Sequence, residues 1–135
     1  MKLFLDSSIL VEACLSQSPK FDAADALIKN SNACTSAHAL AEAYATLSGD
    51  PRLKMHPADV SRMIEDLAKT IHVMALEVKD YRQLILSAPA KGIRGGMIYD
   101  AIHVHAARLC DCQEVYTLNV AHFRHVAPDL AVVGL

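Results

Sequence analysis

Leu3-Phe4-Leu5-Asp6-Ser7-Ser8-Ile9-Leu10-Val11 decides the fold. The mostly apolar run from Lys2 to Leu5 stops at Asp6, and from Ile9 to Leu15 apolar residues return at helical spacing. A short apolar run followed by a helical pattern reads as a buried strand feeding a helix. The same alternation continues along the chain. Phe21, Ala24, Leu27 and Ile28 mark one face of a helix, and Ala33 to Thr35 is a brief strand. Ser36 is placed to cap a helix that runs to about Leu47 and is ended by Ser48-Gly49-Asp50-Pro51. A helix opening at Pro57 with Val60, Met63, Ile64 and Leu67 on one face precedes a strand from Ile71 to Leu76. Glu77 to about Ala88 reads as a helix, stopped by Pro89 and Gly92, and residues 91–96 form a flexible loop. Met97 to Leu109 is an Ala-rich helix, Val115 to Leu118 a strand, Asn119 to about His125 a helical turn, and Ala131 to Val133 a last strand. Strands alternating with helices imply an α/β fold whose mainly parallel sheet is covered on both faces.

The 135 residues suit a single domain over 1–135. Apolar residues are 53%, charged residues 21% and aromatics 5%, with no Trp, so an aliphatic core is expected. No apolar run approaches the ~20 residues needed to span a bilayer, and no signal-peptide pattern precedes Asp6. A cytoplasmic protein with no membrane partner is expected. The net charge of −2 argues against binding nucleic acid through a global field, so such a site must be local. Cys14, Cys34, Cys110 and Cys112 follow no zinc-knuckle spacing. They read as free thiols, Cys14 and Cys34 buried, and no zinc site is expected. No G-x-G-x-x-G follows a strand, which excludes a dinucleotide enzyme.

Ligand sites in open α/β sheets lie beyond the carboxyl ends of the strands, where strand order reverses. Asp6 and Asn119 each follow a strand, while Glu42 and Asp100 sit within apolar helical stretches. Singly, each has an ordinary role: Asp6, Ser8 and Asn119 as caps, Glu42 as an exposed helix residue, and Asp100 as a first-turn acid favoured by the helix dipole. Gathered in one cleft, three carboxylates would repel unless a cation joined them. Mg²⁺ or Mn²⁺ takes oxygen ligands and would activate water against a phosphodiester.

Four segments carry a resemblance. Leu3 to Val11 resembles the first motif of the PIN-domain family, an apolar strand ending in Asp with a hydroxyl residue two positions on. Thr35-Ser36-Ala37-His38-Ala39-Leu40-Ala41-Glu42 is similar to the second. Gly95-Gly96-Met97-Ile98-Tyr99-Asp100-Ala101 is similar to the third, a Gly-containing loop before an Asp-Ala helix. Val115-Tyr116-Thr117-Leu118-Asn119, with Val120 to Phe123, is similar to the closing motif. The four occur in the family's order across nearly the whole chain. The resemblance implies a three-layer α/β/α sandwich around a parallel sheet of order 3-2-1-4-5. It implies a metal-dependent ribonuclease like the VapC toxins of VapBC toxin–antitoxin pairs, with Mg²⁺ or Mn²⁺ held by Asp6, Asp100 and Glu42. It also implies an RNA substrate, a VapB-like antitoxin and a homodimer. Many members carry a fourth acid where this chain has Asn119 and His122, so one-metal chemistry is the expectation. Asn119 joins Asp6, Glu42 and Asp100 as a candidate catalytic residue, with Ser8, Thr117 and Arg94 as supporting or RNA-contact candidates.

His38 shares a helix face with Glu42, and His103 with Asp100. Without an HExxH pattern, His38, His103 and His105 read as packing or supporting residues. Arg94 and Lys91, like Arg52 and Lys54, lie in loops that could flank the cleft and meet phosphates. A non-catalytic RNA-binding or scaffolding PIN domain is the alternative function. An aspartyl-phosphate phosphatase is disfavoured, because Ser8 stands where a second Asp is required.

Overall fold

The computed structural model describes residues 2–135 and contains five strands and seven α-helices. In chain order they are β1 (Leu3–Leu5), α1 (Ser7–Ala13), α2 (Phe21–Ile28), β2 (Ala33–Ser36), α3 (Ala37–Gly49), α4 (Pro57–Thr70), β3 (His72–Met74), α5 (Val78–Ser87), α6 (Met97–Leu109), β4 (Glu114–Tyr116), α7 (Val120–Val126) and β5 (Ala131–Val133). All strand pairs are parallel, and the sheet order is β3-β2-β1-β4-β5. This is the α/β class expected from the alternation of strands and helices, and the strand order that the resemblance implied.

The alternation of β1 divides the core. Phe4 packs with Cys34, Val104, Ala106, Val115 and Phe123 on the side of α6 and α7. Leu5 packs with Ile9, Leu10, Ala24, Ala39, Ala43 and Leu67 on the side of α1 to α4. Both Phe4 and Leu5 are fully buried, each contributing about 1.5–3 kcal/mol through removal from water. A continuous apolar run is what a strand covered on both faces requires.

Two strands are shorter than their apolar runs. The fourth ends at Tyr116 rather than Leu118, and the third spans His72–Met74 rather than Ile71 to Leu76. Register sets both limits. Leu5 aligns with Tyr116 and Ser36 with Met74. Beyond these pairs the neighbouring strand has turned into its helix. The chain after Tyr116 still donates Thr117 N to Val133 O at 3.0 Å, but on its other side it faces Asp6 instead of a strand. Among the described residues, no helix is long and apolar enough to cross a membrane.

Candidate active site

β1 delivers Asp6 to the carboxyl end of the sheet, at the reversal between β1 and β4. Its amide donates to Tyr116 O at 3.0 Å, which fixes the backbone. Asp6 occupies the N-cap position of α1, yet its side chain accepts no backbone amide of that helix. The carboxylate turns inward instead and is almost completely buried. Oδ2 accepts from Ser8 Oγ at 2.8 Å and from Thr117 Oγ1 at 2.8 Å. Oδ1 has only a 3.4 Å contact from Ser7 Oγ and lies 3.8 Å from His103 Nε2. One oxygen is thus held by hydroxyls while the other is left for a ligand.

Ser36 caps α3, its Oγ accepting from Ala39 N at 3.0 Å. The same Oγ lies 2.8 Å from His103 Nδ1. With the serine hydrogen directed to Nδ1, His103 Nε2 carries the ring hydrogen and donates it to Glu42 Oε1. His103 is 1% exposed, and its ring lies between Phe4 and Phe123 with centroids 6.1 and 6.4 Å away. It is locked in place. Glu42 is also 4.0 Å from His38, which stacks on Tyr99 with ring centroids 5.1 Å apart. Burial opposes ionisation of Glu42, but the His103 hydrogen bond and the electrostatic pull of the His103 and His38 rings outweigh it. The carboxyl is held below its ordinary range.

Asp100 lies in the first turn of α6 and is half-buried. Burial, then the negative charges of Asp6 and Glu42, push its carboxyl above the ordinary value against the opposing pull of His103 and His122. Glu42 and Asp100 line a cleft of about 530 Å³, with Gly96, Met97 and Tyr99 on one side and Ala121, His122 and His125 on the other. Asp6, Glu42 and His103 present ligand atoms within 4.8 Å of one another. The donors fit a hard divalent cation. Two of them are carboxylates, with Asp6 Oδ1 free of a close hydrogen bond, and Asp100, disfavoured as an anion by burial and then by the charges of Asp6 and Glu42, would also gain from a cation nearby.

The PIN-domain family model matches residues 3–127, nearly the whole chain. The chain belongs to the PIN-domain family. None of the curated proteins matches. Among solved structures it is similar to VapBC2 of Rickettsia felis, described as bound to a DNA fragment from its promoter, with a TM-score of 0.68, 19% identity, and 100% of this chain and 99% of that one covered. It is also similar to VapC20 of Mycobacterium tuberculosis, described as a toxin that cleaves the sarcin–ricin loop, with a TM-score of 0.66, 21% identity, and 84% and 87% covered. VapBC-1 of nontypeable Haemophilus influenzae aligns with a TM-score of 0.66, 20% identity, and 99% and 98% covered.

The four PIN motifs come together as neighbours around β1. Asp6, Glu42 and Asp100 share one region, and Ser8 and Thr117 both grip Asp6 rather than capping helices. Ser8 Oγ also accepts Leu118 N at 3.0 Å. Asn119 opens α7, but its side chain caps nothing, because the backbone there (φ −105°, ψ 57°) is not in a capping conformation. Its amide donates to Thr117 Oγ1 at 2.9 Å, and the residue is exposed. Arg94 is exposed two residues before Gly96 of the cleft. Arg52 is engaged by Asp50 through Nε at 3.0 Å and a terminal nitrogen at 2.8 Å. His105 bonds Asp80 at 3.0 Å, away from the site. Sequence reasoning read His103 as a packing or supporting residue, and the buried ring does both, packing near Phe4 and Phe123 and bonding Glu42. Its place three residues after Asp100 was the available signal, and its partners on β2 and α3 were not visible from spacing.

Proposed function

We propose that this PIN domain, folded as a single unit, is a Mg²⁺- or Mn²⁺-dependent endoribonuclease, the toxin of a VapBC-type pair acting in the cytoplasm. The observation that carries the reading is that Glu42 and Asp100 line one cleft, with the buried Asp6 within 4.8 Å of Glu42, while burial and then the charges of Asp6 and Glu42 hold Asp100 above its ordinary pKa. Asp6, through Oδ1, and Asp100 would hold the cation, with Glu42 beside them. Such a cation supplies charge neutralisation for a phosphodiester and acidifies water. Ser8 and Thr117 keep Asp6 oriented, and His103 keeps Glu42 ionised and fixed. His122 and His125 at the cleft wall, with Arg94 nearby, offer donors to phosphate. Asn119 presents an uncharged amide close to Thr117, consistent with one cation rather than two.

The likeness to a toxin described as cleaving the sarcin–ricin loop supports RNA as the substrate class. The VapBC complexes among the similar structures support a VapB-like antitoxin. An arginine of that partner would pair well with the acidic cleft. A homodimer is supported by the apolar face of α5, where Val78, Ile85 and Leu86 are 74%, 60% and 81% exposed. The test is incubation of purified protein with total RNA in Mg²⁺, Mn²⁺ or a chelator. Cleavage should require the cation and vanish in Asp6→Asn. One observation favours the scaffolding alternative: His103 already satisfies Glu42 Oε1. RNA binding without cleavage at saturating Mn²⁺ would establish that alternative.

A further inference from the structure

On the opposite side of the sheet from α1 to α4, three cysteines meet. Cys34 is the second residue of β2, while Cys110 and Cys112 follow the last turn of α6. All three are buried, and their sulphurs lie within 4.8 Å of one another. The backbone is shaped to bring the second pair together. Asp111 adopts a left-handed conformation (φ 57°), unusual for a residue with a side chain. Asp111 N donates to Arg108 O at 3.0 Å and Cys112 N to Ala107 O at 2.9 Å. These are the two bonds of a Schellman helix stop. The chain folds back over the helix end, and Cys112 returns to the side of Cys110. Cys14 lies elsewhere, half-buried rather than buried as the sequence suggested.

A cavity of about 270 Å³ opens onto Cys34 and Cys110 and is also lined by His72, Met74 and Lys2. His72 is the register partner of Cys34 on the neighbouring parallel strand, so the two share a face of the sheet. The cluster therefore has an entry path and a nitrogen donor at its mouth.

We propose that Cys34, Cys110 and Cys112 form a Zn²⁺ site separate from the acidic cleft, with His72, whose ring lines the adjoining cavity outside the 4.8 Å sulphur cluster, turning in as fourth ligand. Three sulphurs and one imidazole are a common tetrahedral zinc set. With Zn–S near 2.3 Å, tetrahedral sulphurs sit about 3.8 Å apart, which the cluster meets with small adjustments. A disulfide would need two sulphurs drawn to about 2.0 Å, leaving the third unpaired. Lys2 at the mouth of the cavity offsets the excess negative charge that three thiolates would carry. Hard oxygen donors select Mg²⁺ or Mn²⁺ and soft thiolates select zinc, so the two sites discriminate by ligand chemistry. The spacing of the cysteines argued against zinc only because sequence does not show that β2 and the end of α6 are neighbours.

The test uses the full chain, kept reduced. Zinc-edge X-ray absorption of wild type loaded with one equivalent of Zn²⁺, in excess Mg²⁺, should show three sulphurs and one nitrogen. Titration with Co²⁺ should give a thiolate-to-metal charge-transfer band saturating at one equivalent, unchanged in Cys14→Ser. Cys34→Ser and Cys112→Ser should each weaken binding by more than about 100-fold, since even outer partners of metal ligands carry roughly 10–100-fold. His72→Ala should lose the nitrogen and retain the sulphurs. A sulphur-free shell in the wild type, or absence of one-equivalent binding, would overturn the site whatever the variants do. Unchanged affinity in both serine variants would overturn it as well, and an unchanged shell in His72→Ala would overturn the fourth ligand. None of these readouts depends on ribonuclease activity.

Discussion

Thr117→Val tests how Asp6 is held. Threonine and valine have nearly the same shape, so the substitution removes a hydroxyl and little else. Thr117 is 0% exposed, and its Oγ1 donates to Asp6 Oδ2 at 2.8 Å while accepting Asn119 N at 2.9 Å. A hydrogen bond to a buried charged group is worth about 1.5–3 kcal/mol. The Asn119 amide adds about 1 kcal/mol at most, because that exposed residue can turn to water. The expected loss is about 2–4 kcal/mol. For a chain of this size that corresponds to a fall of about 6–20 °C in Tm. Thr117→Ser keeps both bonds and should lose only the transfer energy of a methyl, about 1 kcal/mol. Thermal unfolding in chelator measures all three proteins without metal. Calorimetric titration with Mn²⁺ then reads the second consequence. Asp6 held by Ser8 alone is less well oriented, and Mn²⁺ affinity should drop roughly 10–100-fold. If Thr117→Val unfolds within 2 °C or so of wild type and binds Mn²⁺ equally well, Thr117 does not hold Asp6 and the reasoning fails.

Four further outcomes follow from the acids and from Asn119. The raised carboxyl of Asp100 contributes stability below the ordinary carboxylate pKa, and that contribution is lost as pH rises through its folded value. Metal-free Asp100→Asn should therefore be at least as stable as wild type near neutral pH, with the difference narrowing as pH falls through the carboxylate range, as urea denaturation in chelator would show. Glu42 has the opposite sign. Its lowered pKa contributes stability above the ordinary value that is lost as pH falls through the folded one, so Glu42→Gln should destabilise the metal-free protein at neutral pH and much less in acid. Because the Asn119 side chain caps nothing, Asn119→Ala should shift stability by no more than about 0.5 kcal/mol, whereas Asn119→Asp should tighten Mn²⁺ binding in calorimetry by adding a charge next to Thr117, the partner of Asp6.

The three acids were legible because each stands at a fixed offset from an element end: Asp6 directly after an apolar run, Glu42 inside a helix whose cap Ser36 is visible, Asp100 just past a glycine pair. Such offsets are local, and local periodicity reports them. The ring of His103 was not, because its bonds to Ser36 and Glu42 cross 67 and 61 residues of chain. The thiol cluster was hidden for the same reason, since Cys34 meets Cys110 and Cys112 only once β2 lies under α6. Strand ends were misjudged where apolar residues run past the last paired neighbour, as Leu118 does. The apolar pattern records burial, and Leu118 is packed against the α1–α4 side without being paired. Asn119 looked like a cap by residue type, but the residue's backbone angles decide whether a side chain can reach the helix amides.

The central strand has its two neighbours at very different distances along the chain. Leu3 pairs with Ala33 on one side and with Glu114 on the other. Closing the longer loop costs about 1 kcal/mol more in chain entropy than closing the shorter, and such distant pairings slow folding. During synthesis Asp6 is made long before Thr117, the partner of its carboxylate. A growing chain can pair β1 with β2 early, but it cannot orient Asp6 until more than a hundred further residues have followed. The cleft is thus a late product of folding: a ribosome-bound or truncated chain would carry all three acids and still lack a finished site.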